Sequence, residues 1–476
     1  MKITSHAFKA NARSAMADPI LQGALRRMET GGFSAARAAA VARLPEFDAL
    51  RDRAVEIKNH TLANLDFYLA RFEREVVAQG GHVHWCATAR EARETILALC
   101  RSVEAKTATK GKSMVAEEIA LNPFLEANGV QPIETDLGEY VIQLADQPPS
   151  HIVVPAVHLS KEQIADLFVA NHGQYGKTER LTDAQALVGE ARAIIRRKYL
   201  EADVGITGAN FLIAETGTTI IATNEGNGDL TQMLPQMHIV IASIEKVLPT
   251  LEDACTLLRL LARSATGQEV TCYTTFSTGP KRPDDLDGPS AFHVVVVDNG
   301  RSAMLGTQLQ DALRCIRCGA CLNDCPVYRS VGGHAYGWVY PGPIGAAIDP
   351  HFIGLEEAAD LPGASSFCGK CEDVCPVRIP LPNIMRYWRE QSFERELTPA
   401  PQRAGIRFWA WFARRPRLYR LATRVAVAAL AKLAGPKGRF ARLPLAGGWT
   451  AARDLPAPEG RTFSEQWQAG VRRWRA

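Results

Sequence analysis

Cys315-Ile316-Arg317-Cys318-Gly319-Ala320-Cys321-Leu322-Asn323-Asp324-Cys325-Pro326 is the stretch from which the rest of this 476-residue chain can be read. A second run, Cys368-Gly369-Lys370-Cys371-Glu372-Asp373-Val374-Cys375-Pro376, brings the clustered cysteines to seven of eleven. Three thiolates spaced by two residues can reach three irons of one cubane. The three-residue step into Cys-Pro then turns the chain, and the fourth thiolate serves a second cubane. A zinc site would show two separated CxxC pairs. A disulfide framework would need an oxidising compartment. The spacing therefore predicts a helical two-cluster ferredoxin module with crossed ligands. Cys315, Cys318, Cys321 and Cys375 are expected on cluster I, and Cys325, Cys368 and Cys371 on cluster II.

Cluster II is one thiolate short. The matching position, three residues before Cys368, is Ser365. Cluster I reads as a 4Fe-4S centre. Cluster II is either a 3Fe-4S centre or a 4Fe-4S centre with three cysteines. In the second case its last iron takes a serine oxygen, water, a substrate or a residue from elsewhere. An open iron can act as a Lewis acid, whereas a three-iron cluster is an electron relay; relay is the favoured reading. Cys86, Cys100, Cys255 and Cys272 are scattered in apolar segments and read as small buried side chains. One of them remains an alternative fourth ligand.

The length suits two or three domains. A net charge of +4 does not by itself imply a nucleic-acid partner. The first nine residues hold no apolar core, so no signal peptide is expected. No run of 18 apolar residues suggests a transmembrane helix. Thiolate ligands without an export signal point to a reducing cytoplasm.

Residues 1–75 read as helical, with Asn59–Val77 an amphipathic helix. Over 76–300 strands alternate with helices. His82–Cys86, Thr107–Lys110, Ile152–Val154, His238–Ala242 and Val294–Val297 are the expected strands. Ser113–Asn128 is one of the expected helices. Such alternation predicts an α/β domain with a largely parallel sheet covered on both faces, and ligands at its strand ends. There is no GxGxxG after a strand and no Walker A run. Glu215 lies between apolar runs, where an unpaired carboxylate is costly. Lys112, Glu139, Asn210, Glu215 and Thr218 are therefore the candidate pocket. The plainer alternative is a turn in which Glu215 pairs with a cation.

The ferredoxin module is expected over 301–390, with a glycine-rich excursion between its two runs. From Pro401 to Arg453 there are twelve Arg or Lys and no Asp or Glu. This basic tail (391–476) reads as a helical docking segment for an acidic partner or its own chain. An anionic membrane surface is the second reading. Nucleic acid is the weakest, because no binding motif accompanies the charge.

Several stretches resemble the lactate utilisation protein B family. They are Lys112-Ser113-Met114, Glu134-Thr135-Asp136-Leu137-Gly138-Glu139, Glu215-Thr216-Gly217-Thr218, Asn224-Glu225-Gly226-Asn227 and both cysteine runs. The resemblance covers nearly the whole chain. It implies a LUD-type α/β domain similar to the NagB/RpiA/CoA-transferase fold, the ferredoxin module and the tail. It also implies two partners, a cysteine-rich iron–sulfur subunit and a second LUD-domain protein. The implied role is electron transfer in oxidation of L-lactate to pyruvate, in the cytoplasm or at the inner membrane face. In one alternative the α/β domain itself binds and oxidises a 2-hydroxy acid, with Glu215 as base or anchor and Lys112 on the carboxylate. In another it is an acyl or CoA transferase with Glu215 as nucleophile.

Overall fold

Val294–Val297, four valines in succession, can be buried only in a strand covered on both faces. In the computed structural model, which describes residues 3–30, 32–434, 437–443, 447–450 and 453–474, that is their place. Ten strands are labelled in chain order. They are β1 (His82–Cys86), β2 (Thr107–Lys110), β3 (Gln131–Glu134), β4 (Val204–Gly208), β5 (Phe211–Ile213), β6 (Thr218–Thr223), β7 (Met237–Ser243), β8 (Val247–Leu248), β9 (Tyr273–Ser277) and β10 (Ala291–Val297). Six form an all-parallel sheet in the order β1-β10-β7-β4-β2-β3. The other four form a smaller sheet, β8-β5-β6-β9. Val295 and Val297 pack with Ile206, Ile239 and Ile241 on one face of the large sheet. Val294 and Val296 pack with Phe72, Val76 and Val240 on the other.

The parallel α/β sheet matches the expectation, with local differences. Ile152–Val154 is not a strand. The His151 ring accepts from Val153 N and Val154 N at 3.0 and 3.1 Å, and Ser150 N donates to Pro155 O. These bonds close the segment into a loop and leave nothing for a ladder. β3 and β4 were not anticipated, because Pro132 and Gly205 weaken their strand signal. Gly205 has a packing reason: a Cβ there would sit 1.8 Å from Thr231 O of the helix Asn227–Met233. The expected helix Ser113–Asn128 divides at Ala120, which has φ 51°. Asn59–Val77 divides at Asn64.

β2 is followed by the edge strand β3, and β4 then returns to the other side of β2. Strand order thus reverses between β2 and β4. Open α/β sheets bind ligands beyond the carboxyl ends of strands at such a reversal.

One buried ion cluster joins the sheet to the cysteine module. Arg301, after β10, donates two hydrogen bonds to Glu118, at 2.8 and 2.6 Å, and both side chains are fully buried. Its Nε lies 3.0 Å from Glu245 Oε2 as an ion pair. Tyr340, from the module, donates to Glu118 at 2.6 Å. The N-terminal helices also belong to this assembly. The Arg51 guanidinium donates to Cys375 O and Asp373 O, and Arg37 to Val374 O.

The chain divides into two units, 1–392 and 393–476. The second holds the helices Ala400–Ala413 and Pro416–Ala434, a short hairpin of Arg439–Phe440 with Leu455–Pro456, and the helix Phe463–Trp474. Among the described residues no helix is long and apolar enough to cross a membrane.

Removing one partner of a buried ion cluster strands the others. Arg301→Met is therefore expected to cost about 3–5 kcal/mol, read as a lowered denaturation midpoint by circular dichroism. A midpoint within error of the parent would show that the cluster is not a structural tie.

Candidate functional site

The two cysteine runs fold alike. In the first, Arg317 (φ 59°) and Gly319 (φ 74°) flank Cys318. In the second, Phe367 (φ 55°) and Gly369 (φ 81°) flank Cys368. These left-handed residues curl the chain around the thiols. Each curl leads into a four-residue helical turn carrying the next cysteine, Cys321 in Ala320–Asn323 and Cys371 in Lys370–Asp373. Cys325 and Cys375 then each precede a proline. Ser365 falls where the first run has Cys315. Arg317 N donates to Cys315 Sγ at 3.4 Å, and Phe367 N donates to Ser365 Oγ at 3.1 Å. The serine oxygen thus repeats the sulfur's place in the turn. A small recess is lined by Cys325, Ser365, Cys368 and Cys371 together.

The seven thiols are free and fall into two neighbourhoods. Burial pushes Cys318 up to about 12, and Cys375 and Cys315 add to the shift. Burial likewise raises Cys321 well above the usual thiol range, reinforced by Cys318, Cys315 and Cys375; it also feels Cys371, where the neighbourhoods adjoin. Cys375 is pushed up by burial and by Cys315, to about 11. Cys371 is pushed up to about 12 by burial, then by Cys325 and Cys368. Burial also raises Cys325, with Cys368 adding to it. Such packed thiols would repel one another as thiolates unless a cationic centre lies between them, which is the chemistry of an iron–sulfur donor set. Besides Arg317 N on Cys315, two further backbone donors address sulfur lone pairs, Tyr328 N on Cys325 and Ile379 N on Cys375. The residues present fit two clusters.

The four remaining cysteines lie elsewhere. Cys86 and Cys100 are in the core of the large sheet. Cys255 lines a surface groove, and Cys272 N donates to Asn224. None borders the recess at Ser365. Cys255 and Cys272 are exposed, contrary to the expectation of burial, because their helix face and strand approach carry no apolar cover.

A cavity of about 240 Å³ opens beyond the carboxyl ends of β7, β4, β2 and β3. Lys112, Asn210, Asp136, Glu225, Lys246 and Arg317 supply its charged and polar wall, and Cys318 closes one end. Lys246 is buried, and burial first, then the charge of Arg317, pulls its ammonium down to about 8 against the pull of Glu245. Burial alone would raise Glu245, but Arg301, Arg317 and Lys246 hold it at about 2.

The five-residue candidate pocket does not assemble. Only Lys112 and Asn210 reach the cavity. Glu215 and Thr218 line a separate groove with Glu75 and Gln79. Glu215 accepts from Leu251 N at 3.1 Å at the start of the helix Leu251–Ala265, so its carboxylate is not a base or nucleophile of the cavity. β5 and β6 form a hairpin, and its turn at Glu215 points away from the end of β4 that carries Asn210. Glu139 is buried with Glu117 and Glu134, and the ammonium of Lys110 already bridges the latter two at 2.9 and 2.8 Å. Burial, with Glu134 and Glu117, raises the Glu139 carboxyl well above the usual range. Lys246 and Arg317 were missed. A basic residue inside a CxxC run was the available signal for Arg317; nothing local marks Lys246.

A doubly covered parallel sheet joined to a paired-cysteine module defines a LUD-type domain coupled to a dicluster ferredoxin. Residues 69–297 match the LUD domain, 311–379 the 4Fe-4S dicluster domain, and 394–470 the lactate utilisation protein B C-terminal family. Lactate utilization protein B of Geobacillus kaustophilus is 44% identical over 98% of both chains. That of Bacillus subtilis is 42% identical over 98% of this chain and 96% of its own. The chain belongs to the lactate utilisation protein B family. A DUF162 family protein of Deinococcus radiodurans covers 49% of this chain and 98% of its own at 15% identity, with a TM-score of 0.26.

A carboxyl whose folded-state pKa is raised takes up a proton on folding. Its contribution is present below the unfolded value and is lost as pH rises through the folded one. Glu139→Gln removes that titration. It should therefore raise the melting temperature by a few degrees at pH 8, and by less at pH 5. An equal gain at both values would mean that the carboxyl is not held neutral.

Proposed function

We propose that this chain is the iron–sulfur electron carrier of a lactate-utilising system, serving oxidation of L-lactate to pyruvate. The observation that carries the reading is the repeated cysteine turn, with its thiols in two adjoining neighbourhoods. Cys315, Cys318, Cys321 and Cys375 hold a 4Fe-4S cluster I. Cys325, Cys368 and Cys371 hold cluster II, and Ser365 Oγ stands at its fourth corner. When bound, such clusters supply one-electron transfer. Oxidation of L-lactate to pyruvate releases two electrons and two protons. The two-electron step therefore belongs to a flavin or metal site on a partner, and this chain relays single electrons.

The chain's own residues suit that task. Backbone N–H groups of Arg317, Tyr328 and Ile379 point at sulfur, which favours the added electron. Arg51 and Arg37 bring positive charge to the second run. Tyr336 and Tyr340 are fully buried and exclude water from the module. The LUD match and the family membership support assembly with a cysteine-rich subunit and a second LUD-domain protein, in the cytoplasm. The basic tail, with Phe408, Trp409 and Leu421 exposed, is the docking segment for an acidic partner subunit. An anionic membrane face is the alternative surface. Truncation after about residue 400 should preserve iron content but weaken recovery of those partners, with the largest difference at low salt, because the tail's attraction to an acidic surface falls as salt rises.

Ser365 gives the sharpest test. Aerobic purification should yield a three-iron EPR signal from cluster II only, because an oxygen ligand holds its iron less firmly than a thiolate. Ser365→Cys should suppress that signal and keep eight irons per chain. Wild-type protein that retains eight irons in air without the signal would remove the weak corner from the reading.

A further inference from the structure

The two cysteine sets differ in the charge that stands behind them. Four cations gather behind Cys315. Lys58 and Lys246 are buried, Arg301 is fully so, and only 13% of the Arg317 side chain is exposed. Two carboxylates answer them. Arg301 is held by both Glu118 and Glu245. Glu245 alone also faces the other three, with Arg317 at 3.9 Å. Asp349 is buried with neither oxygen paired, and burial pushes its carboxyl well above the usual range, so it is neutral and cancels nothing. Four cations over two carboxylates leave positive charge for the thiolates to balance. The charge of Cys315 acts on Lys58, Lys246 and Arg317 alike.

These cations are fixed in place. Lys58 donates to Glu245 O. The Arg317 guanidinium lies 4.3 Å over the Tyr340 ring. Lys246 and Arg317 share the cavity wall with Cys318. On the other side of the same set, Arg51 donates to Cys375 O at 2.8 Å. The walls around Cys325, Cys368 and Cys371 are different. Their recess is lined by Pro326, Val327, Pro343, Pro382 and Met385, and the charged residue of that lining, Lys370, is exposed and paired with Asp373 at 2.9 Å. Arg329, the cation beside Cys325, lies 3.8 Å from Asp324.

An iron–sulfur centre on four thiolates is an anion, and an added electron deepens its charge. In a dry site that electron is costly unless fixed cations stand by. We propose that Lys58, Lys246 and Arg317 form a built-in counter-charge for the electron on cluster I, raising the reduction potential of that cluster and not of cluster II. The inference rests on the carrier reading and adds to it where the electron is stabilised. That place is the inner cluster, against the cavity wall at Cys318, and not the outer one beside the exposed Cys368.

The test uses full-length protein whose iron and sulfide have been counted. It is titrated anaerobically against redox mediators at pH 7, and each cluster is followed by its own EPR signal. Burial pulls both lysines down to about 8, so at that pH they still carry charge. Lys246→Met and Lys58→Met should each lower the ratio of reduced to oxidised cluster I at a given potential about tenfold, a shift of about 59 mV for one electron. Cluster II should move far less. Lys246→Arg keeps the charge and should stay near the parent. Glu245→Gln removes a negative charge and should shift cluster I the opposite way. If one lysine variant does not fold, the other and Glu245→Gln still decide, because their signs are opposed. A cluster I potential unmoved by the lysine variants overturns the proposal. So does a shift shared equally by cluster II, which would mark a general loosening of the module. Clusters at full count with an unmoved potential sink only the counter-charge. Wild-type protein that takes up no iron on anaerobic reconstitution sinks the carrier reading, and this inference with it.

Discussion

Arg301 is the group on which the rest of the molecule hangs. It is fully buried, and its guanidinium meets Glu118 from the helix after β2 and Glu245 from the turn after β7. Tyr340 closes the same carboxylate from the cysteine module. An isolated charge in this position would not be tolerated, and the attraction of the group largely offsets desolvation of its members. Such a group contributes geometry more than stability. It fixes the ends of three strands relative to the first cysteine run, and so sets where the cavity and Cys318 meet.

The cysteine module shows a second kind of constraint, which is local and repeated. Two turns with the same pattern of left-handed residues present their donors in the same order, and one position differs by a single atom type, oxygen for sulfur. The backbone bond to Ser365 Oγ matches that to Cys315 Sγ, so the difference is chemical and not conformational.

That contrast explains what could be read from the sequence. Cysteine spacing is a short-range signal, and the α/β alternation is nearly as local, so both were legible. β3 and β4 were hidden because Pro132 and Gly205 serve packing and edge position, against strand propensity. The five-residue pocket failed for a different reason. Glu139, Glu215 and Thr218 do lie near strand ends, but a hairpin carries Glu215 and Thr218 away, and Glu139 turns inward to Lys110. Proximity in the cavity depends on strand order, which no residue announces. Lys246 joins the site only because β7 is next to β4.

The contacts from Arg51 and Arg37 to the second cysteine run span great lengths of chain; Arg51 and Cys375 are 324 positions apart. A protein made from its amino end at about 5–20 residues per second presents these guanidinium groups many seconds before their carbonyl partners in the second run exist. The earliest-made helices can pack on the helix Leu251–Ala265 beforehand, but their hydrogen bonds to the second cysteine run form only after it has been made. Until those bonds form, the second run lacks the guanidinium cover that Arg51 and Arg37 give it.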